Sequence, residues 1–340
     1  MAQVDAILEG NRLALARLLT QIENRDPAGQ VAMNRLFPYT GKAHLIGVTG
    51  APGTGKSTLV NQLARHYRRL VPPEGQPRRV AVVAVDPSSP FTGGALLGDR
   101  VRMRDLAGDP GVFIRSMASR GSLGGLSGST AGVVQVLDAA GYEIILIETV
   151  GAGQTEVDIA RLAHTTLVIE APGSGDDIQA IKAGILEIAD IIVINKADRP
   201  GVQATERALR NNLLLGHPVM RKYPHHQVVI AEPAPAPAEG VNGLWIPPIL
   251  KVIATEGSGI VELAAAIERH HQYLVSGWEW QRREEERLQS EFDNLLQENL
   301  VESWRSRITD GLYQQALRRV VARDLSPWQA VQLLLEGTPP

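Results

Sequence analysis

The chain has no cysteine in 340 residues, which excludes a disulfide scaffold, a thiolate nucleophile and every cysteine-ligated zinc or iron–sulfur centre. Long apolar runs are also missing. The longest, Val80–Val85, is strand-sized, far short of the roughly 18 residues of a membrane span. Neither sign of charge dominates: 34 Lys and Arg face 37 Asp and Glu, a formal net charge of −3. No broad field therefore draws the molecule toward nucleic acid or anionic lipid. What is present is ordinary globular usage, 44% hydrophobic and 21% charged, which excludes disorder or fibre as a global description. At roughly 150 residues per domain, one or two domains are expected, large enough to bury a core without staples.

The first 25 residues have no continuous apolar core, which argues against a secretory signal. Val4, Ile7, Leu8, Leu15, Leu18, Leu19 and Ile22 recur at helical spacing, with Asp5, Glu9, Arg12 and Arg17 among them. The acids Asp5, Glu9 and Glu23 argue against a mitochondrial presequence, so a packed helix and a cytoplasmic location are expected. From His44 onward, short apolar runs alternate with helical periodicity. Strands are expected at His44–Thr49, Arg79–Val85, Val112–Arg115, Glu143–Glu148, Thr165–Glu170, Asp190–Asn195 and Ile249–Ala254. Helices are expected at Ser57–Leu70, Thr130–Ala140, Ile178–Ile188 and Val202–Leu215. Such alternation with Val/Ile-rich strands reads as an α/β fold with a mostly parallel sheet covered on both faces. Ligands in such sheets sit at the carboxyl ends of the strands.

Residues 216–248 break the rhythm, and the Pro/Ala-rich 231–240 reads as an exposed connector. Beyond Gly277 the chain is helical in composition. Leu288, Phe292, Leu295, Leu296, Leu300, Val301 and Trp304 form an apolar stripe, and Ser326-Pro327 opens a last helix as N-cap and first helical residue. RREEER at 282–287 reads as a solvated helix face, and the pairs His225-His226 and His270-His271 as solvent-facing polar residues. The expected organisation is an N-terminal helical extension (1–40), a P-loop domain (41–277) and a C-terminal helical region (278–340).

Gly50-Ala51-Pro52-Gly53-Thr54-Gly55-Lys56-Ser57 fits G-x-x-x-x-G-K-[ST] between a strand and a helix. Glycines let the backbone N–H groups curl inward as a nest for phosphate oxygens at a helix N-terminus. Lys56 would reach the β and γ phosphates and the Ser57 hydroxyl would ligand Mg²⁺; the candidate contacts run from Gly50 through Thr58. Glu148-Thr149-Val150-Gly151 looks like a D-x-x-G box with Glu in place of Asp, where the carboxylate holds a Mg²⁺-bound water and Gly151 offers an N–H to the γ-phosphate. Asp86 ends the run Val80–Val85, and Asp99 follows in Gly98-Asp99-Arg100. Lys56, Asp86, Asp99 and Glu148 are the candidate catalytic set, and Ser57, Asp86, Asp99 and Glu148 the candidate metal set. Helix capping for the strand-end acids, and pairing of Asp99 with Arg100 or Arg102, are the bland alternatives.

Asn195-Lys196-Ala197-Asp198 follows Asp190–Ile194 in the pattern N-K-x-D. Guanine offers two adjacent donors, N1–H and the 2-amino group, and one carboxylate accepts both; adenine has an acceptor at N1 and would leave Asp198 unpaired. Sites built this way reject the wrong base strongly. Lys196 would lie over the base, Asn195 would tie this loop to the phosphate loop, and Ala254, in Ile253-Ala254-Thr255, would offer its N–H to guanine O6.

With these boxes in place, the chain resembles the MeaB/ArgK family of P-loop GTPases, the MMAA-like chaperones of adenosylcobalamin-dependent methylmalonyl-CoA mutase. The resemblance is carried by VTGAPGTGKSTL (48–59), VDPSSPFTGGALLGDRVRM (85–103), IRSMASRGSLGGLSGST (114–130), IETVGAGQTEVDI (147–159), INKADRP (194–200) and LWIPPILKVIATEGSGI (244–260). It runs from about residue 5 to 335, and the 231–240 connector departs from it. The resemblance implies a dimeric SIMIBI-class GTPase whose C-terminal helices serve homodimerisation. It implies GTP and Mg²⁺ as ligands, and as partners an adenosylcobalamin-dependent acyl-CoA mutase and a cobalamin adenosyltransferase, with no nucleic acid and no membrane. Its switch segments would gate cofactor loading and protect or restore the mutase. Hydrolysis is expected to be slow alone and accelerated by the partner, with Gln154 or Arg100 as candidates for orienting water. Two other readings share the phosphate loop: a metallochaperone GTPase, and a kinase or ATPase linked to basic amino-acid transport. Asp198 speaks against the latter.

Overall fold

The computed structural model describes residues 2–70, 76–87, 103, 105–106, 108–119, 128–149, 155–173, 183–216, 245–308 and 310–336. Three helices open the chain: α1 (Ala2–Leu8), α2 (Arg12–Glu23) and α3 (Pro27–Leu36). The strands β1 (His44–Thr49), β2 (Val80–Pro87), β3 (Val112–Ser119), β4 (Ile144–Thr149), β5 (Thr165–Glu170), β6 (Ile191–Asn195) and β7 (Ile249–Val252) then alternate with helices. These are α4 (Lys56–Arg69), α5 (Gly128–Ala139), α6 (Thr155–Leu162), α7 (Ala183–Glu187) and α8 (Val202–Gly216), with α9 (Ile260–Ser276) after β7. Last come α10 (Glu279–Arg307), α11 (Asp310–Val321) and α12 (Pro327–Glu336). The 231–240 connector, His225-His226 and the first part of the expected 178–188 helix lie outside the described residues.

The strands form one seven-stranded sheet, ordered β3-β2-β4-β1-β5-β6-β7, with every pairing parallel. This is the α/β architecture expected from the alternation of patterns. The strands are apolar throughout because both faces are covered. On one face Leu45, Ala81, Val83, Ile145 and Ile147 meet helices α2, α3 and α5; on the other Ile46, Val48, Val82, Leu146 and Val193 meet α4 and α9. Gly47 is small for a reason: a Cβ there would lie 2.9 Å from Ile159 and 3.0 Å from Ala163, so its lack of a side chain lets α6 close on β1.

The N-terminal periodicity is broken into separate helices. Gly10 adopts φ +90° and Asn11 caps α2, its Oδ1 accepting from the N–H groups of Leu13 and Ala14 at 3.0 Å. Asp26 caps α3 ahead of Pro27. Val4, Ile7, Leu18, Leu19 and Ile22 are buried in the same core as Val133 and Leu137 of α5. Gly132 permits that crossing, since a Cβ would stand 2.9 Å from Met33 Sδ.

The chain divides into two units, Met1–Arg287 and Leu288–Pro340. In the second unit Ala316, Ala330 and Leu334 form a small core with Trp304, Leu312 and Val320 around it, while Phe292, Leu295, Leu300 and Val301 of the stripe are exposed. Ser326 caps α12 as expected: Gln329 N–H donates to its hydroxyl at 3.2 Å and Ser326 N–H donates to Gln329 Oε1 at 3.0 Å.

The reading of 282–287 as a solvated face needs correction. Glu285 and Glu286 are exposed, but Arg287 is buried, and Arg283 makes a bidentate pair with Asp190 at 2.7 and 2.9 Å. Glu284 Oε1 lies 2.5 Å from His164 Nε2 and its carboxylate also accepts from Arg287. His270 is likewise fully buried, contrary to expectation, with Nδ1 2.8 Å from the Thr165 hydroxyl, whose other neighbour is His44 Nε2 at 2.7 Å. Charge alternation on a helix does not distinguish a wet face from one docked on a buried acid and histidine; the partners stand just ahead of β5 and β6, more than 90 residues away.

Candidate nucleotide site

At the carboxyl end of β1 the chain turns through three glycines with positive φ, Gly50 (+139°), Gly53 (+77°) and Gly55 (+92°), before α4 begins at Lys56. Two of them are also dictated by space. A Cβ on Gly50 would lie 2.1 Å from the Ile169 carbonyl oxygen of β5, and one on Gly55 would lie 2.4 Å from Asn195 Nδ2. The loop thus sits against the ends of β5 and β6 with its backbone at the positive N-terminal pole of α4. Thr54 closes it locally, donating its hydroxyl to the Ala51 carbonyl at 3.0 Å. Lys56 folds its buried side chain back over the loop, where Nζ donates to the carbonyls of Gly50 (2.8 Å) and Ala51 (3.0 Å).

Across from the loop, the Ser57 hydroxyl donates to Glu148 Oε1 at 2.6 Å, so the sequence-expected hydroxyl and carboxylate meet although 91 residues separate them. Asp86 lies in β2, beside β4, but its side chain is outside the described atoms. Asp99, Arg100, Gly151 and Gln154 lie outside the described residues.

The third loop follows β6. Asn195 is buried and works in both directions: its Nδ2 donates to the Thr54 carbonyl at 2.8 Å and its Oδ1 accepts the Ala254 N–H at 3.1 Å. Lys196 takes a left-handed conformation (φ +57°), and its Nζ donates to the Gly53 carbonyl at 2.5 Å. Ala197 N–H donates to the Val252 carbonyl at 3.1 Å, which pins the turn to β7, and Asp198 is left exposed at its tip. Ala254 is buried beside this turn, and its N–H is the one that Asn195 Oδ1 accepts.

Pattern reading missed Thr49 and Thr149, both fully buried at adjacent strand ends, with the Thr149 hydroxyl donating to Thr49 Oγ1 at 3.1 Å. Nothing in a linear motif signals that pair; it becomes visible only when β1 and β4 are known to be neighbours.

A family model described as methylmalonyl Co-A mutase-associated GTPase MeaB matches residues 15–309. The chain belongs to the MeaB family. A Pyrococcus abyssi relative is 40% identical over 333 residues, covering 98% of this chain and 95% of that protein. GTPase ArgK of Escherichia coli is 36% identical over 335 residues, covering 96% and 93%. Among solved structures, a LAO/AO transport system kinase superposes with a TM-score of 0.67 at 27% identity, covering 98% of this chain and 96% of that one. MeaB-family membership and the P-loop fold therefore rest on matches along nearly the whole chain. No helix among the described residues is long and apolar enough to cross a membrane.

Proposed function

We propose that this MeaB-family GTPase binds GTP with Mg²⁺ at the carboxyl ends of β1, β4 and β6. It hydrolyses GTP slowly by itself and uses the change in nucleotide state to gate adenosylcobalamin loading on a cobalamin-dependent acyl-CoA mutase, which it protects or restores. The observation that carries the nucleotide reading is the pair of hydrogen bonds made by Asn195, which joins the phosphate loop (Thr54), the N-K-x-D turn and the loop after β7 (Ala254) in one frame. That frame ties the phosphate loop to the turn that carries Asp198, the coupling that a nucleotide spanning both would use. The mutase connection is supported by the family's description and by the helper role that the family resemblance implies.

In this reading the nest and the Lys56 ammonium oppose phosphate charge, which grows on the transferred group during hydrolysis. Ser57 and Glu148 supply neutral and anionic oxygens 2.6 Å apart, the donor chemistry a hard divalent cation selects. Ser57 and Glu148 would hold Mg²⁺, which would supply positive charge to offset that of the phosphates. Asp86 and Asp99 would serve the metal and switch region, and Gly151 would offer its N–H to the γ-phosphate. Lys196 covers the base with its stem and Asp198 accepts from guanine N1–H and the 2-amino group. The C-terminal helices (278–340) pair two copies of the chain, and the cytoplasm is the proposed location.

Calorimetry of the full chain with GTP and with ATP tests the core of this reading. GTP is expected to bind more tightly, and Asp198→Ala to lose at least about a hundredfold of that preference, since a carboxylate that the wrong base leaves unpaired discriminates strongly. A preference for ATP would instead favour a kinase-like activity of the kind named for the transport-system relative. Co-purification with candidate acyl-CoA mutases, with and without a non-hydrolysable GTP analogue, tests the client.

A further inference from the structure

β1 and β4 are the neighbours at which the sheet opens. α4 leaves β1 on one face of the sheet and α6 leaves β4 on the other, the arrangement that makes a crevice at the strand ends. The β1–β4 register runs to Val48↔Glu148. One residue further, Thr49 is registered with Val168 of β5, and Thr149 with Val85 of β2. The two strands part company there, and two side-chain bonds span the gap. On the α4 face it is Ser57 to Glu148, 2.6 Å; on the opposite face it is Thr149 to Thr49, 3.1 Å. Thr49 directly precedes Gly50, which is locked against the Ile169 carbonyl, and Thr149 directly follows Glu148. Both threonines are 0% exposed, so each hydroxyl depends on a protein partner.

We propose that the Thr49–Thr149 hydroxyl pair is a positioning device that sets the width of the β1–β4 crevice and thereby the distance between Ser57 and Glu148. The inference rests on the nucleotide-site reading above and adds residues to it. Neither threonine faces the phosphate nest, since alternation along β1 and β4 turns their side chains away from the face that carries Ser57 and Glu148. The pair acts through Glu148, so its signature is the metal dependence of nucleotide binding and not base choice.

The test is a titration of the full chain with fluorescent GDP and GTP across Mg²⁺ concentrations, with a parallel measurement in EDTA and circular dichroism to check folding. Thr149→Val, which keeps the shape and removes the hydroxyl, should raise the Mg²⁺ concentration for half-maximal tightening by about three- to tenfold, the equivalent of one hydrogen bond. Affinity in EDTA and the GTP-over-ATP preference should stay within about twofold. Thr149→Ser should restore the Mg²⁺ response. Thr49→Val should match Thr149→Val, and the double variant should be no worse than either single one. An unshifted Mg²⁺ midpoint in folded Thr149→Val, failure of Thr149→Ser to rescue, or additive single effects would each overturn the pair's role. If Thr149→Val does not fold, Thr49→Val decides by the same readout. A wild-type chain without GTP preference would overturn the nucleotide-site reading itself, which separates the two failures.

Discussion

The two ends of the same strands teach opposite lessons about polar residues. At the carboxyl ends of β1 and β6 stand Gly50 and Asn195-Lys196, and polar groups there face a loop frame with Asp198 exposed at its rim. At the amino ends of β1, β5 and β6 stand His44, His164, Thr165 and Asp190, and these are closed over by His270 of α9 and Arg283 and Glu284 of α10. His164 Nδ1 accepts the Leu45 N–H at 3.1 Å, so its ring proton sits on Nε2, facing Glu284. Asp190 accepts the Thr166 N–H as well as Arg283, while His270 Nε2 stands 3.3 Å away without hydrogen-bond alignment. Both ends carry charge, but only one leaves it reachable. The closed end anchors helices; the open end is where the proposed nucleotide site lies.

Electrostatics sharpen the contrast. Burial pushes His44 and His164 below the usual imidazole range, the Glu284 bond only partly offsetting it at His164. Burial alone would raise the carboxyls of Asp190 and Glu284. The side chains of His270 and Arg283 nevertheless hold Asp190 well below the ordinary range, and His164 and Arg287 hold Glu284 at about 2. All four groups are therefore kept in one protonation state near neutrality, histidines neutral and carboxylates charged, which suits a structural anchor.

If the comparison is right, breaking the closed end should cost stability and breaking the open end should cost function. Arg283→Ala strands the Asp190 carboxylate, and denaturant unfolding should show a loss of about 3–5 kcal/mol with GTP preference intact in the folded protein. Lys56→Ala should reduce single-turnover GTP hydrolysis by about 10²–10³-fold, with a smaller shift in unfolding midpoint than Arg283→Ala. Acid should act mainly on the closed end. A histidine whose folded pKa is depressed binds fewer protons folded than unfolded, so its contribution is complete above about 6.5 and is lost as pH falls below that. Thermal unfolding between pH 7.5 and 5.5 should reveal up to about 1.4 kcal/mol per pH unit for each such histidine. Asp190 and Glu284 add further loss only below about pH 4.5, toward their depressed folded values. Stability that rises on acidification to pH 5.5 would contradict the neutral assignment of His44 and His164.

Much of the site was legible because its logic is local. Glycines at 50, 53 and 55 announce positive φ, Ser57 follows them at a fixed spacing, and Glu148 and Asn195 fall where apolar runs end. The bond from the Ala254 N–H to Asn195, 59 residues away, has no signal in a linear pattern. The 282–287 stretch was misread because RREEER has the same pattern whether its acids and arginines meet water or meet His164 and Asp190.

Strand and helix placement, the phosphate nest and the acid that would read guanine follow from residue type and spacing, since backbone conformation at glycine and apolar periodicity act over a few residues. Which polar strand ends stay open, which are sealed, and how β1 and β4 are braced at their parting were decided only by folding. Those contacts join groups roughly 60 to 140 residues apart, where no local preference reaches and only packing selects the partner.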